Sequence, residues 1–467
     1  MTAHQSSRSL PNTSPNELDF HPQATPLEHT PHELGAFRHR ELPLWLGLFY
    51  WALFPSTWAP WVTIAEIPMS TKDLVLPILA LFYLLESLAR GFSPQSRPWH
   101  YHLPLLTLAI VVYACLSTAW STVQPPDRSA MIYALTLSGT AMLVGFCVVA
   151  GASPQEARRL LDNLVFFLAA VGTLYFAESY FALGLRQGFL YAPSIDFGID
   201  RVRGPLFGAS AGYFILTPAI AYVLNQATLR SVGRIWNITL LFLLTLTLIG
   251  LGSRAALLLL LVLGVILLVF LRELSRKLLV LLMLTTITLT AWVLVFSRAE
   301  TERLRSLEDH RRFETHATAL EIVRSETPVE QVFGSGLGSY WPWYLTDVDP
   351  LGPQNSPYYF APTLFGPTLY HPHSTFLFLA VELGCVGIIF FGLLWLTLIR
   401  LLRSSLRAEA FPIFASGLVA GTAGVFFDFF VFKAPQVSCI YWLFVYGALR
   451  IVPRATRTKD HALPRIS

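Results

Sequence analysis

Two histidines carry the strongest sign of chemistry in this chain. His371 and His373 flank Pro372 and stand directly before Ser374-Thr375-Phe376-Leu377, where a long polar stretch gives way to an apolar one carrying Glu382-Leu383-Gly384. A neutral imidazole near pH 7 accepts a proton from a hydroxyl and turns its oxygen into a nucleophile. His373 is the leading candidate for such a base and His371 the lesser one, with Pro372 fixing the backbone between them. The competing role for His373 is to cap the helix that starts at Ser374, and spacing alone leaves both open.

Arg201, Arg203, Arg254 and Arg312 form a second constellation. Guanidinium forks match the oxygens of phosphate and diphosphate and stay charged at every relevant pH. Several of them together would hold an anionic leaving group and offset the charge that develops on it. Snorkelling to lipid phosphates is the competing reading. It suits Arg186 well and Arg254, wedged between two apolar runs, poorly.

Gly334-Ser335-Gly336-Leu337-Gly338 lacks the strand–turn–helix context of a dinucleotide site and the Gly-Lys-Ser/Thr ending of a P-loop. Gly334, Gly336 and Gly338 therefore read as a turn that lets backbone approach either a substrate or a neighbouring helix. Glu86, Glu178, Glu382 and Asp428 are acids inside apolar runs, each a functional hypothesis by position. Glu382 lies about 13.5 Å beyond His373 along a helix and near half a turn out of phase. That spacing disfavours a direct His–Glu dyad, and a supporting buried hydrogen bond is expected instead. Cys115, Cys147, Cys385 and Cys439 sit in apolar runs without ligand spacing, and no HExxH or DxD pattern occurs. No metal site and no disulfide framework is expected.

The elements that must position these residues are membrane helices. The chain is 54% hydrophobic and only 13% charged, with a mean hydropathy of +0.53. An ordinary soluble domain carries about 25% charge. A helix of about 20 apolar residues spans the hydrocarbon core. Runs of that kind begin near Leu44, Leu74, Leu103, Met131, Leu160, Pro205, Trp236, Ala255, Leu278, Ser374, Phe411 and Gln436, twelve in all. The pair from Trp236 and Ala255 is short, and only Ser253-Arg254 parts it.

With a cytoplasmic N-terminus, the short inner loops hold Arg90 and Arg97, Arg158 and Arg159, Arg230 and Arg234, then Arg272, Arg276 and Lys277, and Arg400, Arg403 and Arg407. That is the positive-inside pattern, and the C-terminal tail agrees with it. Besides the four site arginines, Lys72, Arg128, Arg186 and Lys433 fall on the outer side.

The fold expected is an all-α integral membrane protein of about twelve transmembrane helices, with one long extracytoplasmic loop between helices 9 and 10. Residues 1–40 read as a disordered cytoplasmic tail and 41–235 as N-terminal membrane helices. Residues 236–395 form a core that includes the loop 297–373, followed by C-terminal helices over 396–451 and a cytoplasmic tail over 452–467. Within the loop, residues 299–325 are charged, and Leu304, Leu307, Phe313, Ala317, Leu320 and Val323 recur at helical spacing. Its Gly-, Pro-, Tyr- and Trp-rich second part suits either the bilayer interface or stacking on sugar.

Several pieces together resemble one family. They are Gly252-Ser253-Arg254-Ala255 before an apolar helix, Arg312 ahead of Ala319-Leu320-Glu321-Ile322, and Phe333-Gly334-Ser335-Gly336-Leu337-Gly338. His373 then precedes Phe376-Leu377 and Glu382-Leu383-Gly384. In order and spacing, over roughly residues 236–395, the chain resembles the O-antigen ligase and polymerase-like superfamily of bacterial envelope glycosyltransferases, which are GT-C-like. Arg201-Val202-Arg203-Gly204-Pro205 looks like the family's earlier outer-loop arginine segment, and Ser374 replaces the Asn common after its histidine.

The resemblance implies glycosyl transfer at the outer face of the bacterial plasma (inner) membrane, from an undecaprenyl-diphosphate-linked glycan to an acceptor hydroxyl. The acceptor is lipid A–core in a ligase and another lipid-linked glycan in a polymerase. It implies neither metal nor nucleotide cofactor, no nucleic acid partner, His373 as base, and Arg201 or Arg203 with Arg254 and Arg312 on the donor diphosphate. A protein-glycosylating ligase is a further member of that class. A small-anion transporter is the alternative from a different class, for which mid-membrane broken helices and inverted repeats are the expected signs.

Overall fold

A helix satisfies its own backbone N–H and C=O groups, so long apolar runs close into helices wherever water cannot do that work. The computed structural model describes residues 54, 60–64, 67–89, 99–121, 125–150, 152–181, 183–185, 206, 212–229, 233–271, 277, 280–289, 312–340, 374–406, 412–426 and 435–451. All lie in one unit, Gly47–Ser467.

The chain order begins with an antiparallel hairpin, β1 (Pro60–Ile64) and β2 (Ile67–Ser70), paired Val62 to Met69 and Ile64 to Ile67. Then come α1 (Thr71–Ala89), α2 (Trp99–Ser117), α3 (Pro125–Ala150), α4 (Pro154–Phe181), α5 (Gly212–Leu229), α6 (Arg234–Gly250), α7 (Arg254–Phe270) and α8 (Val280–Leu289). Within residues 297–373 come α9 (Arg312–Ser325) and α10 (Pro328–Phe333). They are followed by α11 (Thr375–Glu382), α12 (Gly384–Leu406), α13 (Pro412–Thr422), the 3-10 turn Ala423–Phe426 and α14 (Pro435–Ile451).

The fold is helical as expected, with the hairpin as its exception among the described residues. Ser70 ends β2 and caps α1: its N–H and hydroxyl donate to Asp73 Oδ2 at 2.7 and 2.8 Å. Lys72, an outer-side cation in the sequence, needs no ligand to explain it. It is buried, with its Nζ 2.7 Å from Asp73 Oδ1.

The two short runs around Gly252 are separate helices, α6 and α7, parted by a turn in which Gly252 takes φ +61°. The run that begins at Ser374 is a correction: it is two helices, α11 and α12, broken at Leu383-Gly384 with Gly384 at φ +62°. Eight residues reach only about 12 Å, so α11 does not cross a bilayer by itself. The runs that start near Leu44 and the stretch 297–311 lie outside the described residues.

Residues 212–226 of α5 that carry burial values are buried all round, as are 436–448 of α14, which a helix apolar on every face requires. α5 packs on α6 and α13, and α14 on α3 and α4. Toward the outside the pattern inverts. Leu105, Leu108, Val112 and Leu116 of α2 are exposed at helical spacing, as are Leu258, Leu261, Val265 and Leu268 of α7 and Ile389, Leu393 and Leu396 of α12. Apolar stripes of that extent are rare on soluble monomers. By length and composition alone, one described helix, Pro154–Phe181, is apolar and long enough to cross a membrane.

Candidate functional site

The glycine segment is where the loop meets the helices. Thr327 caps α10 with a reciprocal box: its N–H donates to Glu330 Oε2 at 2.8 Å and its hydroxyl accepts from the Glu330 N–H at 3.3 Å. Pro328 takes the first helical position, where its missing N–H costs nothing. Gly334 then ends the helix, its N–H bonding back to Glu330 O.

Gly334, Gly336 and Gly338 all hold positive φ, at 77°, 90° and 80°. A side chain on Gly334 would drive into the Glu382 carbonyl, and one on Gly336 would stand 2.7 Å from Ser117 O and the Ser121 backbone. Of the two approaches left open by the sequence, the structure gives the neighbouring-helix one, on two sides at once.

Every N–H from Gly334 to Tyr340 has a protein acceptor. Ser335 and Gly336 donate to the carbonyls of Val381 (3.2 Å) and Glu382 (3.0 Å), which the break after α11 leaves free. Leu337 donates to Ser117 Oγ at 3.1 Å, and Ser339 to Gly336 O at 3.2 Å. Gly338 and Tyr340 donate to Glu382 Oε2 (2.6 Å) and Oε1 (3.2 Å). With its amides thus taken, the segment offers none to a phosphate.

Glu382 is fully buried at the last position of α11, and its carboxylate is held by those two amides. Among the described residues, these carboxylate bonds run to the loop. From the far side, Tyr113 of α2 sets its hydroxyl between Phe333 O (2.8 Å) and Leu383 O (3.3 Å), and Trp120 Nε1 donates to Gly334 O at 3.2 Å.

A second carboxyl grips the same turn. Glu326, directly after α9, is 8% exposed, and its Oε1 accepts from Ser335 Oγ at 2.6 Å. Its Oε2 is buried with no hydrogen-bond partner among the described residues. Burial pushes the Glu326 carboxyl above its ordinary pKa, the Ser335 bond opposes the rise, and the nearby Glu330 charge adds to it. Burial likewise raises the Tyr340 hydroxyl, beside Ser335.

Sequence reading missed Tyr113, Ser117, Trp120, Ser121 and Glu326. The available signal was the polar cluster that closes α2, and the Thr327-Pro328-Val329-Glu330 capping pattern behind Glu326.

His371, His373, Arg201 and Arg203 lie outside the described residues. Ser374 is the N-cap residue of α11, with no side-chain cap hydrogen bond among the described residues. Arg254 and Arg312 are the first residues of α7 and α9. The first turn of a helix carries free N–H groups and the positive end of its dipole, which favour anions. The structure gathers these helices: α9 packs on α11, and the 3-10 turn Ala423–Phe426 touches both α11 and α7. The apolar row that predicted α9 faces outward, with Phe313 and Leu320 exposed, while Thr315, Ala319 and Ile322 are buried.

Residues 239–392 match the model of a family described as O-antigen ligase. That is about a third of the chain, running from α6 into α12 and taking in Arg254, Arg312, the glycine turn, His373 and Glu382, but neither Arg201 nor Arg203. No curated protein matches the chain.

Proposed function

We propose that this chain, O-antigen ligase-like over residues 239–392, is a membrane glycosyltransferase that moves a glycan from an undecaprenyl-diphosphate-linked donor to an acceptor hydroxyl at the outer face of the bacterial plasma membrane. Twelve spans with both termini in the cytoplasm form its frame, and the outward apolar stripes of α2, α7 and α12 support a bilayer around it.

His373 takes the acceptor hydroxyl's proton as its oxygen attacks the anomeric carbon. The bond from that carbon to the diphosphate oxygen breaks, and the lipid diphosphate leaves with the electron pair. Arg254 and Arg312, with Arg201 or Arg203, hold the leaving dianion and offset its growing charge. His371 supports the backbone before the base. The carrying observation is that the family match encloses Arg254, Arg312 and His373, and that α7 and α9, which the two arginines open, are linked through α11 and the turn at Ala423.

The test is transfer of a lipid-linked glycan in membranes bearing His373→Ala or Arg254→Ala. We expect transfer to fall by at least about 100-fold, the scale of losing a general base. Near-normal transfer by normally inserted protein sinks the reading. Product analysis separates its two forms: glycan on lipid A–core marks a ligase, and lengthened lipid-linked chains mark a polymerase.

A further inference from the structure

Arg312 opens α9, and His373 directly precedes in sequence Ser374, the N-cap of α11, so how α9 and α11 are held bears on the distance between the donor's anchor and the acceptor's base. Glu326 follows the last turn of α9 and grips Ser335 Oγ at 2.6 Å. Glu382 closes α11 and grips the amides of Gly338 and Tyr340 at 2.6 and 3.2 Å. Ser335 also donates its own N–H to Val381 O of α11. Ser339 Oγ, donating to Ser335 O at 2.7 Å and standing 3.1 Å from Ser121 Oγ, ties the two halves of the turn together against the end of α2.

We propose that residues 334–340 are a rigid brace that ties together the C-terminal ends of α9 and α11, and through those two helices sets how their starts stand to one another, with Glu382 and Ser335 as its positioning residues. The inference rests on the assignment of His373 and Arg312 above.

The physical argument is one of stiffness. Positive φ lets the backbone at Gly334 lie directly against the α11–α12 break and at Gly336 directly against the end of α2, where no side chain fits. A fully buried carboxylate is costly unless every lone pair is used. The two backbone amides supply part of that need, and any drift of the turn forfeits them. Misplacement of reacting groups by about 1 Å costs on the order of 100-fold in rate even when the change lies away from the chemistry.

The experiment uses the full-length enzyme in lipid nanodiscs with the lipid-linked donor and acceptor. Glu382→Gln keeps the shape but replaces one acceptor oxygen with a donor. Amide exchange over residues 335–340 should accelerate at least about tenfold, and kcat should fall by about 10-fold to about 100-fold with KM for both substrates within about twofold. Ser335→Ala cuts only the Glu326 end and should lower kcat by about threefold or more, again without a change in KM.

Unchanged exchange in Glu382→Gln overturns the brace. Accelerated exchange with unchanged kcat overturns its positioning role, as does a loss confined to folded yield or to KM. If Glu382→Gln does not fold, Ser335→Ala decides, and an unaltered kcat there overturns the proposal. Failure of the function itself shows separately, as full transfer by His373→Ala, and leaves the exchange result to stand or fall by itself.

Discussion

Among single residues, Glu326 carries the clearest pH consequence. Its folded pKa is raised above the ordinary 4.5 by burial and by Glu330, so the fold binds its proton more tightly than the unfolded chain does. The stability this lends is fully present below the ordinary value and is lost as pH rises through the raised one. Glu330 runs the other way: the backbone and hydroxyl of Thr327 lower it, so its contribution is present above its ordinary value and lost as pH falls through the lowered one. Glu326→Gln, whose amide oxygen still accepts from Ser335, should therefore flatten the decline in unfolding midpoint above about pH 4.5, while Glu330→Gln should not. An equal shift of the midpoint at every pH would remove titration as the cause. The residue-scale content of the site was only partly legible in the sequence. Glu382 was readable because an acid in an apolar run needs partners. Ser117 and Tyr113 were not, since they meet the turn across about 220 residues of chain.

Among elements, the turn and the broken helix define each other. The apolar run from Thr375 to Leu406 has a continuous helical composition, and its glycines, Gly384, Gly387 and Gly392, do not by themselves say which of them marks the break. What makes α11 stop at Glu382 is tertiary: the loop brings donors to the carbonyls of Val381 and Glu382 and takes the place of the next helical turn. Gly336 tests that close approach. Alanine there bears the strain of positive φ, about 1–2 kcal/mol, and also meets Ser117 O and the Ser121 backbone at 2.7 Å. Gly233 has φ +76° with open space around it, so alanine there bears the strain alone. Gly336→Ala should thus lose about 1–3 kcal/mol more than Gly233→Ala, read as the difference between their denaturation free energies. Equal losses would mean that the turn and α2 are not packed backbone to backbone. The spacing that predicted α9 was sound as a period and silent about its face. The outward side carries Phe313 and Leu320, because the smaller Thr315 and Ala319 turn inward.

At the scale of the whole molecule, the question is what solvent surrounds the bundle, and exposure alone does not answer it. Leu261 stands near the middle of α7 and is 63% exposed; Val329 of α10, beside the glycine turn, is 67% exposed. In water, an acid at either place changes stability by within about 0.5 kcal/mol. In a bilayer the two part company. Leu261→Asp then puts a carboxylate in hydrocarbon at a cost of at least about 2.5–3.5 kcal/mol. Val329→Asp stays outside the hydrocarbon, and an acid in the first turn of α10 is favoured by the helix dipole. Composition pointed to a bilayer from the start, because 13% charge leaves little polar surface for water. It did not show which faces meet lipid, since that depends on which helices take the centre, and here those are α5 and α14. We expect Leu261→Asp to cut the amount of inserted, monodisperse protein several-fold while Val329→Asp leaves it near that of the parent, measured by size-exclusion of detergent extracts from membranes at matched expression. Equal recovery of the two variants would contradict a bilayer around α7, and with it the outer-face placement of Arg254 at the start of that helix.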